Sequence, residues 1–96
     1  MNFIRGLIHE LPMEARMLDA GCAEGVLVEE FQAEGRDIKG LDLNYESEYV
    51  QRGSVLDMAY ADNSFSAVLL LDIFEHLSYS DQLLALIEIL RLLKIR

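Results

Sequence analysis

Gly21-Cys22-Ala23-Glu24-Gly25 sits between a short apolar stretch and Val26, Leu27 and Phe31, which open a helical pattern. Glycines in such a turn let the backbone come close to a bound molecule. A helix that starts where the turn ends leaves N–H groups free for an anionic group. Glycines also occur in any tight strand-to-helix turn, so the loop alone does not select a ligand. The loop departs from the dinucleotide fingerprint G-x-G-x-x-G: it reads G-x-A-x-G, with Val26 at the place of the third glycine. Asp19 stands two residues before Gly21, and Glu24 lies inside the loop. Carboxylates beside a helix N-terminus compete with a pyrophosphate and tolerate a ligand that carries a cation.

A second acid adds to this. Asp42 ends Gly40-Leu41-Asp42-Leu43, 21 residues after Gly21. A carboxylate at a strand end can accept both hydroxyls of a ribose, as in nicotinamide sites; a solvated strand-end acid is the alternative. A ribose, an ammonium or sulfonium and a carboxylate meet in S-adenosyl-L-methionine. Glu75-His76 is the remaining reactive pair. His76 is the candidate catalytic base for an acceptor that must lose a proton, or else a structural histidine at a corner. Cys22 has no evident histidine partner and is not read as a nucleophile. Two histidines and one cysteine at these separations do not have metal-ligand spacing, so no metal is expected.

These residues need elements to hold them. Phe3, Ile4, Leu7, Ile8 and Leu11 predict a helix over 2–11, and Pro12 ends it. Residues 16–20 and 37–43 read as strands, and 26–33 as a helix that stops at Gly35. The acids at 29, 30 and 34 read as a solvated face of that helix. Residues 49–51 suggest a short third strand, and 53–64 a loop with a turn at Asp62-Asn63-Ser64. Ala67–Leu71 is continuously apolar, which predicts a strand covered on both faces. Ser78 or Ser80 can cap a last helix whose apolar stripe is Leu83, Leu84, Ile87, Leu90 and Ile95, with Arg91, Lys94 and Arg96 at its negative end. Alternating strands and helices give an α/β, Rossmann-like fold: a partial doubly wound, mainly parallel sheet of about four strands with flanking helices. Its ligand site lies beyond the C-terminal strand ends.

Met17–Gly25, Gly40–Asn44 and Asp62–Leu77, in that order, resemble class I S-adenosylmethionine-dependent methyltransferases, and Ala85–Lys94 resembles the helix after their fourth strand. The resemblance spans 15–94. It implies S-adenosyl-L-methionine as cofactor and methyl transfer to a small-molecule acceptor. It further implies that Asp19, Gly21, Ala23 and Gly25 shape the methionine end and that Asp42, with Leu43 beside it, holds the ribose. Ser54 and Val55 would flank the adenine, and Asp72 would line the pocket near the sulfonium with Phe74 as an apolar wall. Glu75-His76 matches a pair common in the family. Ala23 replaces the usual middle glycine, Ser54 an aspartate that binds the adenine amino group, Ala59 a proline and Ser66 an aspartate. The family's crossover helix between the second and third strands is abbreviated or absent. The family also continues beyond Lys94 with further strands, so the chain corresponds to its cofactor-binding half. A non-catalytic cofactor-binding or assembly module is the alternative function.

Composition bounds the partners. With 17 acidic and 8 basic residues the 96-residue chain carries −9, which disfavours nucleic acid and anionic membrane surfaces. One domain over 1–96 is expected. Its 52% hydrophobic content is large for that size. Without a fifth strand, Ala67–Leu71 is an open edge, and a homo-oligomer through that edge or the last helix is expected. A single cysteine, no leader pattern and no long apolar run predict a cytoplasmic protein.

Overall fold

A computed structural model describes residues 2–71 and 73–94. The chain runs α1 (Asn2–Glu10), β1 (Arg16–Ala20), α2 (Val26–Ala33), β2 (Asp37–Asp42), β3 (Val50–Arg52), β4 (Ala67–Leu69), a 3-10 turn (Phe74–His76) and α3 (Tyr79–Leu92). The strands form one parallel sheet in the order β3-β2-β1-β4. Parallel pairing sends every strand's C-terminus to the same edge. The chain steps outward from β1 through β2 to β3, then returns to place β4 on the other side of β1. The gap between β1 and β4 is therefore the topological switch point, where open α/β sheets bind ligands.

Alternation along the strands builds two cores. Met17 and Ile38 face α1 and α2, where they pack with Ile8, Val28 and Phe31. Leu18, Ala20 and Leu41 face α3, where they pack with Phe65, Ala85, Ile89 and Leu92. Three layers result, and β1, sandwiched between two helical layers, is buried along nearly all its length.

α1 buries Ile8 fully and Ile4 in part, with Leu11 half-buried just past its end, while Phe3 and Leu7 of its predicted face stay exposed. It is pinned to α2 by a bidentate Arg5–Glu30 pair at 2.7 Å and by His9 Nε2 to Glu34 Oε1 at 3.0 Å. Two of the three acids expected to be merely solvated thus clamp one helix to another. α2 ends as expected at Gly35, whose φ of 88° lets Gly35 N–H donate to Gln32 O and Arg36 N–H to Phe31 O.

Two expectations change. The strand predicted over 67–71 pairs only over Ala67–Leu69 and is half-buried rather than covered on both faces. Among the described residues nothing extends the sheet beyond it except the parallel bridge of Leu93 to Phe65, with Lys94 N–H donating to Phe65 O. The face of α3 is also different. Ala85, Ile89 and Leu92 are buried, whereas Leu83, Leu84, Ile87 and Leu90 point to solvent; Ile95 lies outside the described residues. Ser78, not Ser80, caps α3, accepting from Asp81 N–H at 3.1 Å. No helix forms between β2 and β3, which are joined by residues 43–49 alone.

Candidate cofactor site

The loop from β1 to α2 is strained in the way a close-approach turn requires. Gly21, Ala23 and Gly25 all have positive φ, at 78°, 53° and 83°. For the two glycines this is free of steric penalty; for Ala23 the left-handed conformation costs about 1 kcal/mol. A Cβ on Gly21 would lie 2.8 Å from Ile73 Cδ1, and one on Gly25 2.7 Å from Val50 Cγ2. The loop is stitched to β2 by Gly21 N–H and Cys22 N–H, which both donate to Leu41 O. Among the described residues no side chain caps α2, so its first N–H groups are left for solvent or a ligand.

Asp42 is the hub of the site. Its Oδ1 accepts from Ala23 N–H and its Oδ2 from Asn44 N–H, each at 2.9 Å. A carboxylate has about four acceptor positions, so two backbone bonds leave capacity for hydroxyls. On one side of Asp42 opens a cleft of 460 Å³, floored by Asp19 and the glycine loop and walled by Tyr45, Leu71 and Ile73. On the other opens a more apolar cavity of 210 Å³ between Leu43, the Ser54–Leu56 turn, Ile73 and Leu77. Gly21, Asp42 and Ile73 border both, which makes the two one elongated crevice at the strand tips. A shallower depression of 320 Å³ beside Glu46–Gln51 lies off those tips and belongs to a different surface.

Asp19 is only 3% exposed, and among the described residues its Oδ1 has no hydrogen-bond partner. A buried, unpaired carboxylate is unfavourable. Burial, and secondarily the charge of Asp42, push its carboxyl up to about 6. A cationic group in the cleft would pair it. The neighbouring thiol of Cys22 is pushed up to about 11, first by burial and then by Asp19 and Asp42, so it stays protonated and inert as a nucleophile.

The structure brings Asp19, Gly21, Ala23, Asp42, Leu43, Ser54 and Val55 to the crevice. Gly25 sits at the N-cap of α2 and sets its approach to β3. The Ser54 hydroxyl is engaged within its own turn, accepting from Leu56 N–H at 3.1 Å. Asp72 lies outside the described residues. His76 is not brought in. It sits on the exposed 3-10 turn, its side chain 74% exposed, 4.0 Å from Glu75, and lines neither cavity. The wall expected from Phe74 comes from Ile73 instead, and Phe74 packs on the α3-side core. Ile73, Leu71, Tyr45 and Asn44 were not legible as site residues. Only the course of the chain after β4, past the glycine loop, and the turn after Asp42 place them there. Among the described residues, no group of three or more His, Cys, Asp or Glu is placed to hold a metal ion, and no helix is long and apolar enough to cross a membrane.

Fold and crevice together define a Rossmann-like domain with an acid-floored cleft at its strand tips. Residues 18–96 match the model of the methyltransferase domain family, and the chain belongs to that family. Its class I, S-adenosylmethionine-dependent methyltransferase-like fold is shared with solved structures. A SAM-dependent methyltransferase from Archaeoglobus fulgidus superposes with a TM-score of 0.82 at 22% identity, over 97% of this chain and 46% of that one. The PH0226 protein from Pyrococcus horikoshii OT3 superposes at 0.82 and 19% identity, over 96% and 50%. The chain thus spans about half the length of these two proteins. No curated protein matches it in sequence.

Proposed function

We propose that the chain binds S-adenosyl-L-methionine along the crevice, astride Asp42, and presents it for methyl transfer to a small-molecule acceptor. The observation that carries this is the buried, unpartnered Oδ1 of Asp19 at the cleft floor. Asp19 would face the amino group, the first N–H groups of α2 the carboxylate, and Asp42 the ribose hydroxyls. Leu43, Ser54 and Val55 would flank the base. When bound, the cofactor supplies an electrophilic methyl group on a sulfonium. The chain's own contribution is alignment and exclusion of water by Leu71 and Ile73, the kind of help an intrinsically reactive cofactor needs. No nucleophile is required of the protein.

Titration calorimetry tests the assignment. Wild type should bind S-adenosylmethionine and S-adenosylhomocysteine, and Asp42→Ala should lose most of that affinity. Failure to bind either compound at millimolar concentration overturns the proposal; undiminished binding by Asp42→Ala overturns the ribose assignment. A second reading, a cofactor-binding module without turnover, is favoured by the exposed position of His76 outside the crevice. Cofactor binding without methyl transfer to any acceptor would support it. We also propose that a second copy of the chain covers the β4 edge and the outer face of α3.

A further inference from the structure

The wall beyond Asp42 is a short turn in the long connection from β3 to β4, and it is fastened from behind. Asp57 N–H donates to Ser54 O at 3.2 Å and closes the turn. Met58, which follows, has both backbone polar groups tied to α3. Its N–H donates to Glu88 Oε2 at 2.7 Å, and its carbonyl accepts from Arg91 Nη2 at 2.7 Å. Arg91 also donates to Glu88 Oε1 and Oε2 at 2.8 and 3.0 Å, to Tyr60 O at 2.7 Å and to Asp62 Oδ1 at 2.9 Å. These are charge-assisted bonds, and only a planar guanidinium can span so many acceptors at once. The hydrogen bond from Arg91, then that from Met58 N–H, holds the Glu88 carboxyl below its ordinary range, so it is ionised in the clasp. Apolar contacts set the seat: Val55 and Met58 are buried in one core with Ala85, Ile89 and Leu92 of α3. Neither Glu88 nor Arg91 lines the crevice.

We infer that Glu88 and Arg91 are positioning residues for the adenine side of the cofactor site. Their clasp on Met58 fixes the depth at which Ser54, Val55 and Leu56 meet a base. The inference rests on the cofactor reading given above. The connection is otherwise tied near its ends, where Gly53 N–H donates to Asp42 O at 2.9 Å and Asn63, Phe65 and Ser66 N–H donate to the carbonyls of Arg91, Leu92 and Arg16. Between these, the Ser54–Asp57 turn is held by its own bonds and by the clasp on Met58.

Two ligands separate the ends of the site. S-adenosylhomocysteine spans the whole crevice, whereas methylthioadenosine keeps the base and ribose but lacks the amino-acid end. Calorimetry on Arg91→Met should show both binding about tenfold more weakly, by the same factor, with stoichiometry unchanged. Asp19→Asn should weaken only S-adenosylhomocysteine. Arg91→Lys should restore little, because an ammonium cannot bridge the fork. Amide exchange followed by NMR should speed at Leu56 and Met58 while Leu18 in β1 keeps its protection. Should Arg91→Met fold poorly, Glu88→Gln carries the same measurements. Unchanged dissociation constants overturn the inference, as does a fall in stoichiometry alone, or weakening confined to S-adenosylhomocysteine. Wild type that binds neither ligand overturns the cofactor reading and the inference with it; wild type that binds, beside an unaltered Arg91→Met, overturns the inference only.

Discussion

Asp19 is a buried carboxylate whose proposed role in ligand binding works against the stability of the fold. An aspartate in an unfolded chain titrates near about 4, and in the fold this one is pushed up to about 6. Between those values the folded state holds a proton that the unfolded state has lost, so stability falls as pH rises through that window and is level above it. At neutral pH the ionised, buried carboxylate costs the fold about 2–3 kcal/mol. Asp19→Asn should therefore melt higher than wild type at pH 7, with the gap closing near about pH 4. A cationic ligand group would favour the ionised form. Cofactor affinity in wild type should then rise with pH through about 6, and that dependence should vanish in Asp19→Asn. Thermal melts and calorimetry across pH check both. Ala23 offers the opposite trade. Its φ of 53° is a conformation glycine adopts freely, so Ala23→Gly should stabilise the loop by about 0.5–1 kcal/mol, read as a higher denaturation midpoint.

At the scale of elements, the approach of the glycine loop to β2 depends on an absent side chain. A Cβ on Gly40 would lie 2.7 Å from Tyr49 O and 2.8 Å from Cys22 Sγ. The first neighbour is backbone and cannot swing aside. Gly40→Ala should cost about 2 kcal/mol, by denaturant unfolding, and weaken cofactor binding by pushing Cys22 and its loop off Asp42. Much of this architecture was legible beforehand. β1 and α2 fall where the apolar run, the glycines and Gly35 put them, because tight turns and helix stops are local chemistry. The face of α3 was not. Its sequence is apolar nearly all round, and Leu83-Ile87-Leu90 repeats with the same spacing as Ala85-Ile89-Leu92. Periodicity cannot choose between such stripes; the fold does so by burying Ala85, Ile89 and Leu92 in one core with Leu18, Ala20 and Leu41. β4 is shorter than the apolar run 67–71 because apolar content marks what can be a strand, while a strand ends where its pairing ends. In the site, the acids and glycines were visible by type and spacing, but Ile73 and Tyr45 became walls only through tertiary placement.

At the largest scale, the chain carries an exposed apolar face along α3. Leu83, Leu84, Leu86, Ile87 and Leu90 lie open along α3, with Ile87 62% and Leu90 58% exposed, and among the described residues no strand pairs with the outer edge of β4. Contiguous apolar surface of this kind marks an interaction site. Its strength can be bounded. Covering half-exposed leucines and isoleucines is worth roughly 1 kcal/mol each, while association costs at least about 4 kcal/mol in lost freedom. The stripe alone gives a weak complex, and the net charge of −9 on each copy opposes it further. We therefore expect the proposed self-association to be micromolar or weaker and to strengthen with salt, since 0.1 M salt shortens the reach of like charge to about 10 Å. Sedimentation velocity over a concentration series at low and moderate salt checks this. Ile87→Lys combined with Leu90→Lys should give a monomer without loss of folding stability, because both side chains are already in solvent and surface changes of this kind stay within about 0.5 kcal/mol. A wild-type chain that sediments as a monomer at every concentration and salt would leave the face to a different partner and overturn self-association as its use.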